Sequence, residues 1–265
     1  MANVKRVKKK KLNIKALILL LLIIYLIIMF LYTIFTMPIK NIYINNTSLI
    51  SDNEIIEIAG IKNYPSLFKI NAKKLEKKIS EIELVESVNI KKNLNGKLII
   101  NIKEAKPLFL NRTNNKIILS NKKEVEPNNN YLGIPSLINN VPSDLLNDFI
   151  DGLSNVETDI IGMINEIEYN PHIEQEQETG KNIVINERRF ILRMNDTNTV
   201  HVDTLYIERL NDYKSIMMTI KDDRGVILLD SDNSQNGLIG LFTSYKDLNK
   251  DKETGENSNG SSTED

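Results

Sequence analysis

The chain contains no cysteine, which excludes disulfide staples, a thiolate nucleophile and any cysteine-ligated metal centre. It contains no tryptophan, and aromatic residues make up 6%. Only two histidines occur, His172 and His201, too few for a zinc site built on several imidazoles. There is no glycine-rich phosphate loop and no Lys-Thr-Gly triplet. Heavy use of Ile, Asn and Lys reads as the codon bias of an AT-rich genome rather than as chemistry.

What is present is unevenly distributed. The 265 residues, 41% of them hydrophobic, allow one to three domains. The net charge of −1 conceals an asymmetry. Residues 1–15 carry Lys5, Arg6, Lys8, Lys9, Lys10, Lys11 and Lys15 without an acid, residues 39–107 are +4, and residues 108–265 are −12. An acidic body argues against a nucleic-acid surface.

From Ala16 to Met37 no residue is charged. As a helix, this stretch is about 33 Å long, against about 30 Å of bilayer hydrocarbon. A buried core helix is rarely apolar on every face, and a cleaved signal peptide has a shorter apolar run and a small-x-small cleavage site, which Phe35-Thr36-Met37-Pro38 does not supply. An uncleaved membrane span is the better reading. By the positive-inside rule, the basic flank keeps residues 1–15 in the cytoplasm and leaves residues 38–265 outside. The basic cluster then serves as a topology determinant against anionic headgroups.

After Pro38, Ile39–Ile44 reads as a strand, and Asn45-Asn46-Thr47 as a turn. Ser51 and Glu54 have capping-box spacing for a short helix, closed by Gly60. Asn71 caps a second helix with Leu75 and Ile79 on one face, and Lys73, Lys74, Lys77 and Lys78 read as its solvated side. Val88–Lys92 and Leu98–Glu104 read as strands joined at Asn95-Gly96. The order is strand, helix, helix, strand, strand, enough for a sheet buried on one face by two helices.

A basic tail, one span and this unit together resemble the FtsQ/DivIB family of bacterial cell-division proteins and their POTRA domain. The residues that carry the resemblance are Ile39–Ile44, Ile55–Ile61, Leu84–Ile90 and Leu98–Pro107; Ala105 stands where the family often has a basic residue, with Lys106 one place later. Downstream, Gly133-Ile134-Pro135-Ser136-Leu137 is similar to a family turn. Lys116–Asn121, Ile164–Tyr169, Asn182–Asn186, Arg189–Met194, Thr199–Val202 and Gly225–Asp230 read as strands. Ser143–Ser154 reads as an amphipathic helix, and Tyr206, Leu210, Tyr213, Ile216 or Met217, and Ile220 recur at helical spacing. This alternation fits the family's second, β domain. Residues 247–265 have no apolar side chain after Leu248 and read as a disordered tail.

The expected class is therefore α+β: basic cytoplasmic tail 1–15, transmembrane helix 16–37, POTRA-like domain 38–107, β domain 108–246 and tail 247–265.

Enzymatic readings fare poorly. Ser66-Leu67-Phe68-Lys69 and Ser231-Asp232-Asn233 match two motifs of penicillin-binding enzymes, but they fall in different expected domains and lack the third. His172-Ile173-Glu174 reads as a solvated loop. His201 alternates with Val200 and Val202 and is expected on the solvent side of a strand. Glu166 and Glu168 share a strand face and offer a carboxylate pair, though an ordinary exposed face explains them better. The chain is read as a non-enzyme, with no catalytic residue, cofactor, metal, nucleic acid or small-molecule substrate.

Recognition is then the expected function. Arg224–Asp230, short and late in the chain, is a candidate for strand addition at a sheet edge, with Val226, Leu228 and Asp230 facing one way and Ile227 and Leu229 the other. In the FtsQ/DivIB family, this region docks small single-span partners of the FtsL and DivIC/FtsB type. The resemblance implies the same role for Gly225, Val226, Ile227, Leu228, Leu229, Asp230, Leu238, Ile239 and Phe242, in a scaffold at the division septum. The alternatives are a POTRA-bearing extracytoplasmic chaperone or adaptor, and a membrane-tethered cell-wall enzyme.

Overall fold

A computed structural model describes residues 13–128, 131–176, 180–221, 223–230 and 242–248. Most of the basic tail, residues 249–265 of the polar tail, Ser231-Asp232-Asn233, Leu238 and Ile239 lie outside the described residues. The chain divides into two compact units between Lys103 and Glu104. That division precedes the sequence boundary at 107 because Pro107 already opens a strand of the second sheet.

The first unit begins with helix α1, Ile14–Thr36, which has no buried residue and is long and apolar enough to cross a bilayer. Strand β1, Asn41–Asn45, follows. Helix α2, Asp52–Ala59, is capped by Ser51, whose side chain accepts from the Glu54 N–H, and ends at Gly60 in the left-handed region. Helix α3, Ala72–Ser80, is capped by Asn71, which accepts from the Lys74 N–H. Strands β2, Val85–Asn93, and β3, Lys97–Glu104, complete the unit. Their sheet order is β1-β3-β2, with β1 parallel to β3. Along β3, Leu98, Ile100 and Ile102 alternate inward and pack with Ile55, Leu75 and Ile79 of the helices. That alternation fixes the register, since a one-residue slip would turn all three into water.

The second unit holds strands β4 (Pro107–Asn111), β5 (Lys116–Leu119), β6 (Glu124–Val125) and β7 (Ser136–Leu137), then helices α4 (Ser143–Ser154) and α5 (Thr158–Ile161). Strands β8 (Ile164–Tyr169), β9 (His172–Gln175), β10 (Asn182–Asn186), β11 (Arg189–Met194) and β12 (Thr199–Asp203) follow. A 3₁₀ helix, Ile207–Asp212, leads into α6, Tyr213–Ile220, and strands β13 (Gly225–Leu229) and β14 (Phe242–Ser244) follow, the last running into a helical turn over residues 245–248. One nine-stranded sheet runs β14-β13-β12-β11-β8-β7-β4-β5-β6, and β9 and β10 form a separate antiparallel pair.

Two expectations are corrected here. His172 does not lie in a loop but opens β9, because Ile173 pairs with Val184 across the hairpin. The helical periodicity after Tyr206 is a 3₁₀ helix followed by an α-helix: the buried residues are Ile207, Leu210, Tyr213 and Ile216, a spacing of three that suits the tighter helix.

Aromatic contacts anchor this core. The Phe149 ring of α4 stacks on Phe190 of β11 at 4.1 Å between centroids and meets Phe109 of β4 at 6.0 Å, and all three are fully buried. Phe149→Ala should therefore cost about 3–5 kcal/mol, read from urea denaturation of the second unit. A loss under about 1 kcal/mol would show that the cluster does not organise this core.

Candidate partner-binding surface

The end of the large sheet is assembled around Asn198, which is 1% exposed. Its amide donates to the Tyr213 hydroxyl (3.2 Å), and its Oδ1 accepts from the Gly225 N–H (3.0 Å). The Tyr213 hydroxyl in turn donates to Asp196 at 2.9 Å. Burial, above all, pushes the Tyr213 hydroxyl well above its ordinary range, so it remains a donor. A buried network with every member partnered fixes one arrangement; this one ties α6 to the start of β13.

The structure places Gly225, Val226, Ile227, Leu228 and Leu229 in β13, as expected. Gly225, Ile227 and Leu229 are buried, Val226 and Leu228 half-buried. Ile227 and Leu229 enter the core, so the two faces divide as the alternation requires.

The expectation of an outermost strand is corrected. β13 is paired on both sides, parallel to β12 and antiparallel to β14. β14 holds the end of the sheet, with Gly225 opposite Ser244, Val226 opposite Thr243 and Ile227 opposite Phe242. Gly225 permits this approach. A Cβ there would lie 2.1 Å from the Thr243 carbonyl oxygen and 2.9 Å from the Ser244 Cα, and backbone cannot swing aside as a side chain does. Further ties hold β14: the Tyr245 N–H donates to the Arg224 carbonyl, the Thr199 and Tyr245 hydroxyls share a 2.7 Å hydrogen bond, and Lys246 pairs with Asp223 at 2.9 Å.

Leu228 and Asp230 face the opposite side of the sheet. With His201, Arg189, His172 and Leu205, they line an open cavity of about 630 Å³. His201, register partner of Leu228, is half-buried there rather than simply solvated. Burial lowers its pKa, and the nearby positive charge of Arg189 adds to the effect. His172 lies 3.4 Å from Glu174, and no group of three metal-ligating side chains occurs among the described residues.

The remaining polar candidates have structural occupations. Arg193 pairs with Glu168 at 2.6 Å and lies 3.7 Å from Glu166. Burial works against the charge on Glu168, but the Asn170 amide and Arg193 together outweigh it and hold the carboxyl below its ordinary range. Such a group is a poor proton donor near neutrality. Ser66 donates to the Phe35 carbonyl at 2.5 Å, which gives the hydroxyl of the Ser-x-x-Lys match a structural partner.

Comparison with known proteins fits this architecture. Residues 37–105 match the family model described as a POTRA domain of the FtsQ type. Over 144 residues, the chain is 28% identical to the cell division protein DivIB of Macrococcus caseolyticus, a match covering 51% of this chain and 47% of that one. Over 195 residues, it is 25% identical to DivIB of Bacillus anthracis, covering 72% and 69% respectively. The POTRA match and the DivIB relatives together support a resemblance to the FtsQ/DivIB family. The chain spans about half the length of the first of these relatives and about seven-tenths of the second. The extracytoplasmic domain of DivIB from Geobacillus stearothermophilus covers 43% of this chain and 87% of its own at 19% identity, with a TM-score of 0.29, too low for a structural argument.

Gly225→Val should detach β14: amide exchange at Phe242–Ser244 should approach that of unstructured chain while β11 stays protected. Retained protection at Phe242–Ser244 would contradict the close-approach argument. For His201, the folded chain binds fewer protons than the unfolded chain just below the ordinary histidine pKa of about 6.5. The His201 contribution to stability is therefore present above that pH and lost as pH falls. His201→Gln should flatten the decline in melting temperature between neutral and mildly acidic pH, and an unaltered decline would remove His201 as its source.

Proposed function

We propose that the chain is a non-catalytic, single-span scaffold of the bacterial division septum, with residues 38–265 outside the membrane. In this reading, residues 1–15 are the cytoplasmic tail, 16–37 the span, 38–107 and 108–246 two recognition modules, and 247–265 a polar tail. The match of residues 37–105 to an FtsQ-type POTRA domain carries the proposal, and relatives named for cell division support it.

The partners proposed are small single-span division proteins of the FtsL and DivIC/FtsB type. One of them adds a strand at the free end of the large sheet. Because β14 takes the outer position, the incoming backbone pairs along Phe242–Ser244. Gly225–Leu229 hold that edge in place, while Leu228 and Asp230 offer side-chain contacts on the open face. Leu238 and Ile239 remain in the proposed partner set on the strength of the family resemblance. Backbone pairing supplies affinity, and side chains on alternate faces supply selection. A shared membrane raises the effective concentration of both partners, so modest contacts suffice.

A fluorescent fusion should form a band at midcell, and an even membrane halo through the division cycle would count against the septal role. Leu228→Lys should reduce co-purification of the partner at least tenfold without lowering the melting temperature of the second unit by more than a few degrees. Undiminished capture would remove the open face from the site.

A further inference from the structure

The first unit contains a pocket to which the proposed septal role assigns no residue. It lies between the C-terminal end of α2 and the flank of α3 and has a volume of about 230 Å³. Ile61, Ile70 and Leu75 supply apolar lining, and the three lysines Lys69, Lys74 and Lys78 line it as well. No carboxylate lies within ion-pair distance of these three among the described residues. Lys92 adds a fourth positive group nearby, donating to the Ile70 carbonyl. The capped N-terminus of α3 points its partial positive charge the same way, since Asn71 also lines the pocket. Lys78 also lines a neighbouring cavity with Glu54, Glu81 and Glu83.

The pocket is also tied to the exit of α1. The Leu67 N–H donates to the Met37 carbonyl (3.0 Å) and the Ile39 N–H to the Pro65 carbonyl (3.1 Å). The Ser66 hydroxyl donates to the Phe35 carbonyl (2.5 Å), and Phe35 meets Phe68 edge-on at 5.8 Å. The loop that supplies Pro65, Lys69 and Ile70 to the pocket is thus fastened to the last turn of the apolar helix. From Ser66 to Lys69 the chain reaches at most roughly 11 Å, which keeps Lys69 close to the surface that α1 enters. Tyr64 in the same loop is 51% exposed, and an exposed tyrosine beside a membrane helix suits the headgroup layer.

We infer that this pocket binds the phosphodiester headgroup of an anionic phospholipid in the leaflet where α1 emerges. The ammonium groups pair with the phosphate, and the apolar lining receives the glycerol backbone and the first methylenes. The charge complementarity and the bonded junction favour a lipid over a soluble polyanion, because a lipid is already confined to that surface. The inference rests on α1 spanning a bilayer but not on the septal role, so the two can fail separately.

The test uses the full chain in nanodiscs of phosphatidylcholine doped with a photo-crosslinkable phosphatidylglycerol that carries its reactive group in the headgroup. Crosslinks should concentrate in residues 59–78. Each lysine at a membrane surface contributes about a fivefold gain in anionic-lipid binding, so K69Q/K74Q/K78Q should cut the yield tenfold or more. The charge-matched K73Q/K77Q/K91Q, on lysines outside the pocket, should stay within twofold of wild type, and K69R/K74R/K78R should restore most of the yield. Equal losses in both glutamine variants, or no loss in the pocket variant, would overturn the inference. So would elimination of the crosslink by added soluble poly(glycerol phosphate), which would assign the pocket to a soluble polymer.

Discussion

The exposed surface of α1 governs everything else in this protein. Its 23 residues have no buried member, and their side chains include Leu, Ile, Phe, Met and Tyr around the whole circumference. Each large apolar side chain left in water forgoes about 1.5–3 kcal/mol, so the helix as a whole forgoes tens. A folded domain has about 5–15 kcal/mol in hand. Packing among the described residues leaves that surface exposed, and a bilayer would cover it. Once the helix is in lipid, the hydrogen bonds from Leu67 and Ser66 to the helix exit tie the first folded unit to the membrane without a loose linker.

The second unit solves a different problem. A large open sheet must end somewhere, and an end strand presents unpaired backbone. Here the end is built by β14, three residues long and held by a glycine at the point of closest approach. Asn198 reaches from the core to the first N–H of β13, so the edge is rigidly backed, and among the described residues no strand pairs with its outer side. Helices and aromatic rings fill one face of the sheet, while Arg193 and Arg112 pair with Glu168 and Glu166 elsewhere.

The first unit was legible in the sequence because its signals are local. Ser51 and Asn71 cap the helices that their positions announce, and the turn at Asn95-Gly96 joins the expected strands. In the second unit, Ser143–Ser154, Ile164–Tyr169 and Asn182–Asn186 could be read from periodicity alone. Order within the sheet could not. β13 pairs with a segment well beyond it in sequence, and no local pattern near Gly225 reveals that Phe242–Ser244 will cover it. The glycine itself was the available signal: a strand that starts on Gly invites a close backbone neighbour. β4 was missed because Pro107 reads as punctuation, although Leu108-Phe109-Leu110 is an apolar run and Leu108 and Phe109 are fully buried. The lysines of α3 read as a solvated face, since their neighbourhood with Lys69 and the helix exit depends on the fold.

Topology is the claim on which the account stands, and protease accessibility measures it most directly. Added to intact protoplasts, a protease should digest both folded units and leave only a fragment containing α1 and the N-terminal tail. If both units remained intact until the membrane was lysed, while an outward-facing control protein was cleaved, the account would be contradicted.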